Sequence, residues 1–429
     1  MKHWRMIPMA LRGAIIGVVV NAIALLYVMS ERQHMGSELA RKIGLFSLGA
    51  TFMIDCFALY GSLELGKQLV GKAALGAKLA AFGWGVLLVL VVASVAIRST
   101  HDSNLYVQWG YFVAKTCVGV GMVMAVWKRP AIAVVCFVAW IAIGRPPLLE
   151  KWLYEQTRES WLYVRFASQV AYAALMLVLA VLAVADLPDE FVIRDAQRAK
   201  LGLGRMAGSL WLRLCALIVV PLLTVMLASD GGAGSEKTIG YGMIFAAGVN
   251  VLSFVVFGFG ALDVARSRHL DVRSGPFVVA AAGSLWCAGV SIHQLADLYD
   301  RMTGHSSSWM GYGEGDFATM FPYVMPIVAA VTIIAAALAI AGFAERREHL
   351  ELAGRGERTA VLVGVLQLLT LGTISYLLPE ARSTSSFLLL TLMALTFGVI
   401  AIVSAARLAR DASVIVEAAP PTIPSAQLL

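Results

Sequence analysis

The chain has 429 residues, of which 59% are hydrophobic and 14% charged, with a formal net charge of +7 and a mean hydropathy of +0.78. Soluble domains carry about 25% charged residues, so this composition excludes a water-soluble globule. The surplus of basic residues is then a membrane-topology signal rather than a nucleic-acid footprint.

The apolar residues arrive in runs of twenty or so. A run of about 20 residues matches a hydrocarbon layer roughly 30 Å thick, and only a helix satisfies its backbone groups within one such segment. The expected fold is therefore all-α: a polytopic helical membrane protein. Twelve candidate spans follow one another at 11–29, 43–63, 80–97, 106–127, 130–145, 161–185, 208–228, 238–262, 276–297, 322–344, 359–378 and 387–408. Lys2, Arg5 and Arg12 flank the first, and no small-x-small cleavage site follows it. It reads as an uncleaved span.

The second span carries Asp55 and the fourth carries Lys115. Asp55 lies about 18 Å from the outer edge of its span and Lys115 about 14 Å, at 1.5 Å per residue. Their depths differ by about one helical turn, within reach of a lysine side chain. A charge at this depth is costly alone and is relieved by an opposite one. Asp55, Lys115 and Asn21 of the first span, at similar depth, form the candidate intramembrane polar site. It suits a proton- or ion-linked centre or a pair that fixes helix packing.

The fifth span is cut short by Arg145-Pro146-Pro147. The stretch after it holds Trp152, Tyr154, Trp161 and Tyr163, the pattern of an interfacial aromatic belt. The longest inner connection, about 186–207, divides the spans six and six. It gives a first bundle at 1–200 and a second at 201–412, with a candidate pseudo-repeat between them. Arg213 is placed within a turn or so of a membrane edge, where its side chain can reach water, and receives no role.

The ninth span turns polar at its far end, with His293, Gln294 and Asp297. His293 and Asp297 are spaced i, i+4 and share a helix face. They form a candidate outer mouth. A loop with Arg301, His305, Trp309, Tyr312, Glu314 and Asp316 follows, and the next helix is expected near Pro322 and Pro326. Gly311, Gly313 and Gly315 suit a flexible loop rather than a phosphate cradle, because no strand precedes them. No His, Cys or acidic spacing forms a recognised metal motif, so neither a metal nor a cofactor is expected. The residues after Asp411, with Ala418-Ala419-Pro420-Pro421, read as a disordered tail over 413–429.

With twelve spans, the side holding both termini collects roughly twice as many Lys and Arg as the other, which makes it cytoplasmic. Arginine outnumbers lysine and alanine is abundant, as in bacterial chains of high GC content. The expected location is a bacterial plasma membrane. The expected partners are the lipid bilayer and other membrane proteins, with no nucleic acid.

Three functional classes fit. A secondary transporter of a small solute or ion matches the span count and the midplane charges. In span count alone the chain resembles the major facilitator superfamily. Its segment Gly61-Ser62-Leu63-Glu64-Leu65-Gly66-Lys67 departs from that family's Gly-x-x-x-Asp-Arg-x-Gly loop, so no residue roles carry over. A non-catalytic subunit or sensor in a membrane complex is the second class. A membrane enzyme on a lipid-linked substrate, using outer acids such as Glu31, Glu38 and Asp297, is the third.

Overall fold

The computed structural model describes residues 37–96, 103–126, 130–144, 171, 175, 178–179, 195–220, 222, 235–266, 274–303, 314–373 and 384–418. These residues are almost entirely helical. Among them, six helices are long and apolar enough to cross a membrane, as an integral membrane protein requires. The chain divides into two compact units, 1–191 and 192–429.

In the first unit, α1 (Ser37–Gln68) packs on α2 (Lys72–Ala96), α2 on α3 (Ser103–Ala125), and α3 on α4 (Pro130–Gly144). Its core includes Leu65, Ala80, Trp84, Val118 and Met122, closed by the fully buried Trp140. α4 has 15 residues, or about 22 Å. It is shorter than the hydrocarbon layer, and Pro130 and Gly144 mark its ends. The first candidate span and the aromatic belt lie outside the described residues, as does most of the sixth span.

The described residues of the second unit form six α-helices: α5 (Asp195–Leu214), α6 (Ser235–Arg266), α7 (Ser274–Thr303), α8 (Glu314–Arg346), α9 (Leu350–Gly372) and α10 (Thr384–Ala418). Each packs on the next, and α10 returns to pack on α5. The unit is therefore a closed ring, pinched where α8 also touches α10. Successive helices run antiparallel. Arg205, early in α5, pairs with Asp263, late in α6. Arg355, early in α9, pairs with Asp411, late in α10, at 2.6 Å. A tight turn at 347–349, with Glu348 at φ 63°, joins α8 to α9. These groups mark one charged end of the ring.

Three elements differ from the sequence reading. The connection expected over 186–207 is largely helical, because α5 begins at Asp195. Its buried stripe of Ala199, Leu203, Met206 and Leu210 repeats at helical spacing and packs inward while Arg205 stays at the surface. Where α5 crosses α6, Gly202 and Gly260 meet. A Cβ on Gly202 would sit 2.6 Å from the Gly260 carbonyl oxygen, so only glycine permits the approach. α8 begins at Glu314, so Glu314 and Asp316 sit in its first turn rather than in a loop. Acids there oppose the positive end of the helix dipole. Pro322 and Pro326 lie inside α8 instead of starting it. Membrane helices tolerate internal proline because neighbours satisfy the freed carbonyls. Finally, α10 runs to Ala418, into the segment expected to be disordered, with Val416 buried.

Candidate functional site

α5, α6, α7 and α8 line a small cavity with free space for about one water molecule. Its polar lining comes from Ser209 and Arg213 on α5, Ser253 on α6, Ser284 on α7 and Thr332 on α8. Phe254 of α6 supplies an aromatic wall. The Arg213 guanidinium lies over the Phe254 ring, 4.5 Å from its centroid, a cation–π contact.

The depth of this cavity follows from the helices. Arg213 lies about 12 Å along α5 from Arg205, and Phe254 about 14 Å along α6 from Asp263, at 1.5 Å per residue. Ser284 is about 15 Å into α7, and Thr332 about 21 Å from the Arg346 end of α8. All four residues fall within the candidate membrane segments of their helices. In the candidate membrane segment Arg198–Val219, Arg213 is followed by six more residues, whereas the sequence reading began this span at 208.

All four hydroxyls are buried, and each donates its proton to a helix carbonyl. Ser209 donates to Met206 at 2.7 Å, Ser253 to Asn250 at 2.7 Å and Thr332 to Val328 at 2.8 Å. Ser284 of α7 reaches across to the Phe254 carbonyl of α6, at 2.7 Å. Gly283 of α7 lets α8 come close: a Cβ there would collide with the Thr332 hydroxyl. One turn before Phe254, on the same side of α6, the Asn250 Oδ1 is buried and accepts no hydrogen bond. A buried acceptor left open costs about 1–3 kcal/mol.

Arg213 has no carboxylate partner among the described residues. The cavity therefore holds one positive charge against a neutral, hydroxyl-rich wall. Chemically it can neutralise an anion, and the planar guanidinium suits an oxyanion in particular.

The sequence-derived residues fare differently. Asp55 lies on α1 and Lys115 on α3, both half-buried, and the charge of Lys115 reaches the Asp55 carboxyl. Asn21 lies outside the described residues. His293, Gln294 and Asp297 lie on α7 about two turns from its far end, and α7 continues past them to Thr303. The described residues hold no cluster of three or more His, Cys, Asp or Glu able to bind a metal.

Sequence reasoning missed the Arg213 cavity. Its one local signal is Ser209 at i−4 to Arg213, which puts a hydroxyl and a guanidinium on one helix face. The other lining residues come from three more helices and have no shared spacing. Comparison of the chain with protein-family models, with curated proteins and with solved structures finds no match.

Proposed function

We propose that the chain is a polytopic carrier of about twelve spans, both termini cytoplasmic, that moves a small anion across a bacterial plasma membrane through the second unit. The observation that carries this reading is Arg213, a cation within a candidate membrane segment with no carboxylate partner among the described residues. A charge at the centre of a membrane helix costs about 2.5–3.5 kcal/mol or more. A structural role would be served by a neutral side chain, or by a partner carboxylate as at Arg205–Asp263. A transient anion offsets the charge only while it is bound, which is what a carrier needs.

In the first unit, we assign Asp55 and Lys115 to a charge pair that couples this movement to protons or another ion. The pair's opposite signs and shared depth support the assignment. His293 and Asp297, at the end of α7 opposite the charged end, fit the outer entrance of the same path.

The test is uptake of radiolabelled lactate, propionate and chloride into proteoliposomes. At least one should enter faster than into protein-free liposomes. Arg213→Gln should lower that uptake tenfold or more, and Arg213→Lys, which keeps the charge, should restore part of it. Equal uptake by the wild type and Arg213→Gln would remove the carrier reading and leave a non-catalytic subunit as the better account.

A further inference from the structure

We propose that one face of α2 binds an anionic phospholipid, its headgroup on Lys72 and Lys78 and its acyl chains on the apolar residues that follow them. The proposal concerns the first unit and is independent of the carrier reading above.

The α1–α2 turn gathers three of the chain's ten lysines, Lys67, Lys72 and Lys78. All three are exposed. Between Cys56 and His101 the one acidic residue is Glu64. Its side chain is buried and bonded to the Lys67 Nζ at 3.1 Å. Three lysines against one carboxylate leave the turn with a net charge of +2, however Glu64 shares its charge. The charged end of the second unit is different, since Arg205 and Arg355 there each face an aspartate.

Two of these lysines lead into an apolar stripe. Lys72, Leu75, Lys78, Phe82, Gly85 and Val89 recur at spacings of three and four, so they share one face of α2. Leu75, Phe82 and Val89 are 59, 64 and 66% exposed, and open space lies beside Gly85. The candidate membrane segment of α2 is Lys72–Leu90, so this face meets hydrocarbon rather than water. From Lys78 to Val89 the helix rises about 16 Å, half of a hydrocarbon layer roughly 30 Å thick. The stripe is one leaflet long and carries positive charge at one end. An anionic phospholipid has the matching layout.

The lysines also reach the right depth. Lys72 starts the helix at the turn. Side chains on a helix lean toward its N-terminus, so Lys78, about 9 Å further along, leans back toward Lys72. Its stem lies against α1 at Gly66, where a Cβ would come 3.1 Å from the Lys78 Cγ. The stem stays on the helices while the ammonium rises to headgroup level. A free phosphate would meet the lysines but leave the stripe unused, and a zwitterionic lipid would fill the stripe without matching the charge.

The experiment strips lipid from the full chain in neutral detergent and measures binding of phosphatidylglycerol and phosphatidylcholine by native mass spectrometry, with inorganic phosphate as competitor. Phosphatidylglycerol should bind about tenfold or more tightly than phosphatidylcholine, because each lysine near an anionic headgroup adds attraction. Lys72→Gln with Lys78→Gln should remove that preference and leave phosphatidylcholine affinity within about twofold. Lys72→Arg with Lys78→Arg should keep the preference, showing that changes at these positions leave the fold standing. Arg407→Gln with Arg410→Gln removes two exposed charges late in α10 and should not alter it. Equal binding of the two lipids by the wild type, or an unchanged preference in the glutamine variant, would overturn the proposal. An equal loss in the α10 variant would also overturn it, because the effect would then be one of overall charge. Displacement of the lipid by millimolar phosphate would reduce the lysines to a plain anion site. A wild-type dimer that Phe82→Asn dissolves would show a second copy of the chain on the stripe, and would overturn it as well.

Discussion

An arginine in the middle of a helix bundle must be offset by something, and around Arg213 the protein supplies two partial remedies. Phe254 presents its ring face at 4.5 Å, a contact worth about 2 kcal/mol when desolvated. The hydroxyl-rich wall raises the local polarity. Neither cancels the charge, which is why an anionic ligand is the consistent completion. The first unit meets the same problem differently, since there the charge of Lys115 reaches a carboxylate, that of Asp55. Asp55→Asn would leave Lys115 without that charge. If the pair couples transport, proteoliposome uptake should fall about tenfold and lose its dependence on pH. A variant with an unaltered pH profile and only a lower melting temperature would reduce the pair to helix packing. The midplane depth expected of Asp55 and Lys115 rests on span edges and helical rise alone. The depth of Arg213 depends instead on where α5 begins. The basic residues Arg198, Lys200 and Arg205 look like a connecting loop until the inward stripe of Ala199, Leu203 and Met206 is recognised.

At the scale of the element, close crossings depend on residues without side chains. α5 and α6 meet at Gly202 and Gly260, beside the Arg205–Asp263 pair. Gly202→Leu must push the two helices apart. Overpacking of this kind costs about 1–3 kcal/mol, and it would also stretch the neighbouring ion pair. The expected result is a lower thermal midpoint for the detergent-solubilised protein. A midpoint equal to wild type would show that the crossing has slack. Helix existence was legible from the sequence wherever apolar runs were long. Helix ends were not. α8 starts eight residues before Pro322, because Glu314 and Asp316 favour a helix N-terminus and outweigh the glycines around them. α10 continues past Asp411 because Val416 has a buried place on the bundle, which a count of apolar residues does not reveal. The pocket itself was illegible for a related reason. A serine or threonine bonding its own helix carbonyl is common in apolar helices, so Ser253, Ser284 and Thr332 stand out only once three helices bring them together.

On the scale of the whole second unit, the outer surface is apolar. Tyr241, Phe245, Val361, Leu368 and Leu389 are all exposed. Such a surface is unfavourable in water and matches lipid. Inside that surface, the ring closes when α10 packs on α5. Six antiparallel helices closed in this way bring the start of α5 and the end of α10 to the same, charged end. The architecture consequently has no privileged first helix: neighbour relations form a cycle, and the order of synthesis is only one way of cutting it. A gene reordered as 1–194, 350–418 and 195–349, with flexible linkers at the two new junctions, keeps every helix of the second unit beside its old neighbours and opens two links, that at 194–195 and the tight turn at 347–349. It should insert into membranes, elute as a single species in detergent and unfold at a thermal midpoint close to that of the native order. Aggregation of this circular permutant would mean that the α5–α10 seam is too weak to hold without the native chain order. Success would show that the seam holds without the native chain order, and would make the Arg213 cavity a property of the cycle rather than of the thread.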